Sequence, residues 1–592
     1  MRTDYLPPLR RLRILNAIIV ALMGVLVGRL WQLQVLQGGQ YLRLSEENRI
    51  RDYTITAPRG VIYDRKGRPL VSNRPSFTVA ILPLELTRPE VVLPRLAAVL
   101  GMPVEEIRSR IEAARKRPFE PVRIRRDVGA SVVARIEENR LDLPGVIILA
   151  EPVRHYLYGE MGAHLFGYLG EISEEELSQR RDQGYRLGDL IGKAGVERVY
   201  ESVLRGVDGR LRMEVDALGR PLRVLQEIPA LPGRPVILTV DLDLQKAAFE
   251  GLRASGQRSG AVVAMDPRNG EILAMESLPS YDPNLFAIGI SAAQWRRLTS
   301  DPLRPMLSRA IGAAFEPGSV FKIVTATAAL EEGIVSRTST FYAPGFYRLG
   351  RWVFRDLRAW GTVNFIQGIQ HSINVVFYTL GFRLGGETLA AYARKMGLGE
   401  RTGVDLTGEV TGTIPSPSTK LQLVGEPWYP GDAVNMSIGQ GAVTVTPLQV
   451  ARMMAAVANG GTLLQPHVLL QAQDADRQPR PAPVVVQARG LYSPRTLAVL
   501  HEGLRAAVER GTGQASNLKH VAIAGKTGSA ENPRGKPHAW FAGFGPLGAP
   551  RLVVVAFIEH GFRGGLTAAP IARRVLEAAF PTPEPEAQET PR

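Results

Sequence analysis

Along most of the chain apolar residues come in short bursts, but near its beginning they form one long run. Ile14 to Val27 is almost unbroken aliphatic sequence, and extension through Leu30, Trp31, Leu33, Val35 and Leu36 makes a segment of 23 residues. As a helix it would measure roughly 34 Å, enough to cross a bilayer core. Arg29, Gln32 and Gln34 interrupt its second half, so a buried core or interfacial helix is the competing reading. Flanking charge decides between them. Arg2, Arg10, Arg11 and Arg13 precede the run against Asp4 alone, so the positive-inside rule keeps this end cytoplasmic and sends the rest outside. Residues 28–32 offer no small-x-small cleavage signal. The expectation is a cytoplasmic stub, residues 1–13, and an uncleaved transmembrane helix, residues 14–36. No second run of this length follows, which predicts a single-pass protein of the cell (inner) membrane with an extracytoplasmic body.

From residue 37 to 235 short strand-like runs, such as 77–81, alternate with charged helical stretches, such as 104–117. The Pro/Gly punctuation Leu231-Pro232-Gly233-Arg234-Pro235 precedes the apolar run 236–240, and a domain boundary is expected there. Beyond it, runs 261–265 and 271–276 flank Pro267-Arg268-Asn269-Gly270, the pattern of a hairpin. Three more strand candidates, 520–524, 539–544 and 552–558, and a helix over 568–580 lie near the other end, with helices between the two strand groups. One antiparallel sheet closed by distant segments and covered by helices is therefore predicted over 236–580, and the fold class is α+β. Residues 581–592 are rich in Pro and Glu, and a disordered tail is expected there.

The chain carries 72 Lys+Arg against 57 Asp+Glu, a formal net charge of +15. That field suits nucleic acid, anionic lipid or an acidic polymer. No nucleic-acid motif accompanies it, so an anionic wall or lipid surface is expected and nucleic acid is not. Cysteine is absent, which excludes disulfides, a thiolate nucleophile and thiolate-bound metal. The histidines are scattered, and His501-Glu502 runs on to Arg505 where a zinc-protease helix needs its second His. Neither a metal nor a cofactor is expected.

Three short motifs carry chemistry. Ser319-Val320-Phe321-Lys322 opens an almost wholly apolar stretch to Leu330, so Lys322 would lie one helical turn from Ser319, its amine near the hydroxyl. A lysine stripped of water in such a helix loses basicity enough to take a serine proton near neutral pH. A second Ser-x-x-Lys, Ser516 to Lys519, lies in a polar loop and is set aside. Ser372-Ile373-Asn374 precedes another apolar helical stretch and could aim two hydrogen-bonding groups into one cleft, with helix capping as its plain alternative. Lys526-Thr527-Gly528-Ser529 ends the strand candidate beginning near His520, where an edge could pair with an extended peptide while Lys526 attracts a carboxylate and Gly528 lets the substrate backbone approach. A phosphate loop needs Gly where His520 stands, and Gly439-Gln440-Gly441 lacks the third Gly of a dinucleotide fingerprint; it reads as a structural turn.

In this order the three motifs resemble the penicillin-binding transpeptidases, and Met436 to Gly441 with Thr446 to Gln449 is similar to the family's segment between its second and third motifs. Upstream, Arg59 to Gly67 and Gly192 to Glu197 with Tyr200 resemble the non-catalytic pedestal of class B members. Asn48 to Arg51, Asn73 to Phe77 and Tyr185 to Ile191 look more like the elongation type, penicillin-binding protein 2, than the division type. The resemblance implies an elongated mixed α/β pedestal, dimerisation-like, over 37–235, and a serine D,D-transpeptidase that cross-links peptidoglycan stem peptides during cell elongation. In that scheme Ser319 attacks the D-Ala-D-Ala carbonyl, Lys322 is the base, Ser372 relays a proton and Asn374 orients substrate. Lys526 and Thr527 bind the terminal carboxylate, and the N–H groups of Ser319 and Ser529 form the oxyanion hole. It further implies acylation by β-lactams and a membrane partner, a SEDS-family glycosyltransferase. Some elongation-type members hold zinc through a Cys; with no Cys here, that metal is not carried over. Two competing readings are a membrane-anchored β-lactamase or D,D-carboxypeptidase, and a scaffold that chiefly activates a polysaccharide-polymerising partner.

Overall fold

A computed structural model describes residues 8–39, 50–113, 121–215, 221–532 and 535–582. Residues 1–7 of the expected stub, Asn48 and Arg49, residues 114–117 of the expected helix and residues 583–592 of the expected tail lie outside the described residues.

The apolar run forms helix α1, Pro8–Trp31, continued by a π-helical turn, Gln32–Leu36. Its described part reaches upstream of the apolar run to Pro8. The candidate span Leu12–Leu36 has a mean hydropathy of 2.1 and is 0% buried in the protein. A long apolar helix that buries no side chain against its own chain is suited to hydrocarbon.

The chain divides into two compact units. The first takes residues 1–57, 76–151 and 207–231. It holds a three-stranded antiparallel sheet of Ile50–Ile55, Gly209–Val215 and Pro221–Ile228, in that order. Separately, residues 77–81 pair antiparallel with Val122–Val128. Helices Pro89–Leu100, Val104–Ala113 and Ala130–Glu138 pack Leu93, Leu96, Ile107 and Ile136 against Val79, Ile81 and Ile124.

The second unit takes residues 58–75, 152–206 and 232–592. Its upstream segments carry a buried ionic knot. Arg59 Nη2 lies 2.6 Å from Glu197 Oε2 and 2.9 Å from Glu201 Oε2, and Arg154 Nε lies 2.6 Å from Glu197 Oε1. Burial alone would raise the Glu197 carboxyl, but Arg154 and Arg59 more than offset it and hold it below the usual carboxylate range. The Arg59 and Glu197 motifs, far apart in sequence, thus meet at one point.

The larger part is a single five-stranded sheet with helices on both faces. In chain order its elements are α2 (Leu242–Ala254), β1 (Gly260–Met265), β2 (Ile272–Leu278), α3 (Lys322–Glu331), α4 (Phe365–Gln370), α5 (Asn374–Lys395), α6 (Pro447–Ala458), α7 (Pro494–Arg510), β3 (Ala524–Asn532), β4 (Gly535–Gly545), β5 (Leu552–Ile558) and α8 (Gly564–Ala579). The strand order is β2-β1-β5-β4-β3, antiparallel throughout, so distant segments close one sheet as expected. Alternate residues serve two cores. Val262, Ala264, Val554 and Ala556 face Leu252, Ile571 and Val575 of α2 and α8, while Val263, Met265, Val553, Val555 and Phe557 face the core that includes α3, α5 and α6. With both faces covered, strands read as continuous apolar runs, which is why 261–265 and 552–558 stand out in the sequence.

One strand differs from expectation. The apolar run 520–524 is loop until Ala524, and the strand then runs through the polar motif to Asn532. Apolar periodicity could not mark it, because β3 is an edge strand whose polar side chains line a cleft.

Candidate active site

Ser319 sits in a short 3-10 turn, Gly318–Val320, that feeds directly into α3. Three contacts fix this turn. Gly318 N–H donates to Gly439 O at 3.0 Å, Trp540 Nε1–H donates to Glu316 O at 2.9 Å, and Thr325 Oγ1–H in α3 donates to Ser437 O at 2.7 Å. Gly318 (φ 52°) and Gly439 (φ 73°) are both in left-handed conformations. A Cβ on Gly439 would lie 2.2 Å from Gly318 O, and one on Gly318 would lie 2.9 Å from Ser529 O. The Gly439 turn is therefore structural, as read from the sequence, and it also seats the turn that carries Ser319. Ser319 itself is half-buried, between the buried Gly318 and Val320.

Lys322, in the first turn of α3, is 1% exposed. Its Nζ donates to Ser372 O at 2.7 Å, Ser372 Oγ at 3.1 Å and Asn374 Oδ1 at 2.6 Å, and lies 5.1 Å from the centre of the Phe377 ring. Burial lowers its pKa to about 7, against the opposing charge of Asp356. Among the described residues no hydrogen bond joins Lys322 Nζ to Ser319 Oγ. Its hydrogen bonds go instead to the second motif, whose carbonyl and amide oxygens are strong acceptors for a desolvated amine.

Ser372 and Asn374 belong to the junction of α4 and α5. Ser372 has φ 58°, a conformation costly for a residue with a side chain. Its N–H donates to Ile369 O and that of Ile373 to Gly368 O, the paired bonds of a Schellman cap whose left-handed position is usually glycine. Ser372 thus closes the preceding helix through its backbone and does not cap the following one, whose N-cap is Ile373 with no side-chain cap bond. Asp356 Oδ2 accepts from Val375 N–H at 3.0 Å and steadies the start of α5.

From β3, the fully buried Lys526 donates through Nζ to Ser372 Oγ at 2.8 Å and to Thr527 O at 3.0 Å. Burial, reinforced by the neighbouring Lys322, pushes its pKa well below the ordinary lysine value. Thr527 Oγ1 donates to Thr512 Oγ1 at 2.6 Å, and Ser529 Oγ accepts from Gly564 N–H at 3.3 Å. Gly528 also has an intramolecular reason to be glycine, since a Cβ there would lie 2.9 Å from Pro317 O. All three motifs therefore converge, with Ser372 Oγ between two amines. Asp356, Phe377 and Thr512 escaped sequence reasoning: they carry no motif, and only the fold brings them to the cleft. Among the described residues no cluster of three His, Asp or Glu side chains could hold a metal ion.

The penicillin binding protein transpeptidase domain matches residues 260–577, and the penicillin-binding protein dimerisation domain matches residues 54–238. Peptidoglycan D,D-transpeptidase MrdA of Escherichia coli (strain K12) is 33% identical over 578 residues, 92% of this chain and 90% of that protein. Penicillin-binding protein 2 in its complex with MreC from Helicobacter pylori matches with a TM-score of 0.76 at 26% identity, covering 90% of this chain and 100% of that one. A chain from a peptidoglycan synthase complex, described as coordinating polymerization and crosslinking, matches with a TM-score of 0.69 at 34% identity over 98% of this chain and 100% of that one. With the three-motif cleft and the fold, these place the chain among the class B penicillin-binding proteins, to which it belongs. Its activity is peptidoglycan D,D-transpeptidation, the cross-linking step of cell-wall synthesis. Within the class it is of the elongation, or penicillin-binding protein 2, type, held in the inner membrane by α1 with its catalytic body outside.

Proposed function

We propose that Ser319 is the residue acylated during cross-linking and that Lys322 is its base. Ser319 Oγ bonds to the carbonyl carbon of the penultimate D-Ala as its proton passes to Lys322 Nζ. The C–N bond to the terminal D-Ala then breaks, and the leaving nitrogen takes a proton through the Ser372 hydroxyl. An amine of a second stem peptide attacks the ester, forms the cross-link and returns Ser319 to its alcohol. Backbone N–H groups of Ser319 and Ser529 hold the oxyanion in both halves. Asn374, its Oδ1 taken by Lys322, offers Nδ2 to the donor backbone. Lys526 and Thr527 receive the terminal carboxylate, with Gly528 and Ser529 completing the strand edge beside it.

The observation that carries this reading is Ser372 Oγ, 3.1 Å from one lysine amine and 2.8 Å from another. A hydroxyl so placed can pass a proton either way between motif one and motif three. β-Lactams, which imitate the donor's acylating carbonyl, are proposed to acylate the same oxygen. The division of the chain is proposed as stub 1–13, anchor 14–36, pedestal 37–235, transpeptidase domain 236–580 and tail 581–592. A membrane partner that polymerises glycan, of the SEDS family, is also proposed. Its support is the similarity to chains from a complex with MreC and from a synthase that joins polymerization to crosslinking.

Fluorescent penicillin tests the nucleophile. The native protein is expected to retain label through denaturing electrophoresis and Ser319→Ala to retain none; a labelled Ser319→Ala would overturn the assignment. Co-purification of the solubilised protein with a multi-pass glycosyltransferase tests the partner, and its consistent absence would count against it.

A further inference from the structure

We infer that Thr512 is a positioning residue for the substrate's terminal carboxylate, acting through Thr527. The inference rests on Thr527 receiving that carboxylate, as proposed above. Thr512 lies in the Gly511-Thr512-Gly513 turn after α7, half-buried. Its N–H reaches Gln370 O, at the end of α4, at 3.4 Å, and a Cβ on Gly565 at the start of α8 would lie 2.4 Å from Thr512 O. The turn is thus held between the helix that ends at the second motif and the helix that follows the sheet. From there Thr512 Oγ1 meets Thr527 Oγ1 at 2.6 Å.

Each hydroxyl has a single proton and two acceptor lone pairs, whereas an ionised carboxylate only accepts. With Thr527 donating to Thr512, as it does here, its proton points away from the substrate. When a carboxylate arrives, that proton must turn to it, and the vacated lone pair of Thr527 takes the proton of Thr512. The chain then runs Thr512 to Thr527 to carboxylate, each donor polarised by the one before. No bond other than hydrogen bonds changes. Thr512 therefore favours donors that end in a free carboxylate over those that do not, without touching the reacting atoms.

The test uses the full-length detergent-solubilised protein and two thioester donor analogues, one with a carboxylate on its leaving group and one with the carboxamide. The second-order acylation rate is read for the native protein, Thr512→Val, Thr512→Ala, Thr512→Ser and Thr527→Val. Thr512→Val, which keeps shape and removes the hydroxyl, is expected to slow the carboxylate donor roughly tenfold through KM, leaving the carboxamide donor within about twofold. Thr512→Ala is expected to behave alike if the valine variant fails to fold, and Thr512→Ser to restore the native preference. Equal slowing of both donors, or of neither, by both hydroxyl-less variants while Thr527→Val slows the carboxylate donor alone would overturn the role of Thr512 alone. A Thr527→Val variant that keeps the native preference for the carboxylate donor would overturn the carboxylate reading and this inference with it.

Discussion

Two lysine amines share Ser372 Oγ, and two ammonium groups at that separation in a water-poor cleft would repel strongly. Burial relieves the conflict by favouring the neutral amine, and it brings Lys322 to about 7. The consequence for rate has a definite sign. With Lys322 as the proposed base only its neutral form can accept the Ser319 proton, so acylation by a β-lactam is expected to rise with pH, pass half-maximum near about 7 and level off above it. A stopped-flow pH series checks this. Asp356 opposes the shift, because its negative charge favours the protonated amine. Asp356→Asn keeps an oxygen for Val375 N–H but removes that charge, so its half-maximum is expected at lower pH than in the native protein. An unmoved profile would mean that the titrating base is another group.

The element that most clearly trades stability for function is the α4–α5 junction. A left-handed residue at a Schellman cap costs less as glycine than as any residue with a Cβ. Ser372→Gly is therefore expected to stabilise the protein by about 1 kcal/mol while slowing acylation by about a hundredfold or more, since the hydroxyl proposed as relay is gone. Thermal unfolding and acylation rate, measured on the same preparation, should move in opposite directions. The same junction shows what could be read from sequence and what could not. The motifs around Ser319, Lys322, Ser372, Asn374 and Lys526, which the fold brings together, are legible because local spacing marks them, and β1 and β5 because burial on both faces leaves an apolar run. The left-handed Ser372, the extent of β3 and the contact of Lys322 with motif two are not. Each is decided by segments distant in sequence: the end of α4, the pairing of β3 with β4, and the placing of Asn374 over α3. Asp356 and Thr512 had no signal at all, being a lone acid after a short strand and a threonine between two glycines.

For the molecule as a whole, attachment to the membrane and chemistry in the cleft rest on different parts of the chain. The apolar span ends at Leu36, while every side chain of the cleft lies beyond residue 315. Removing residues 1–39 is expected to release the protein from the membrane fraction without detergent while leaving its rate of acylation by penicillin within about twofold, as followed by fractionation and fluorescent labelling. A large loss of rate with the fold intact would show that the anchor bears on the cleft. If three distant stretches meet so that a dehydrated amine primes one alcohol, peptide mapping by mass spectrometry after treatment with a β-lactam is expected to find a single adduct on Ser319 that vanishes in Lys322→Met. An adduct on any other serine, or one that forms at the native rate without Lys322, would contradict it.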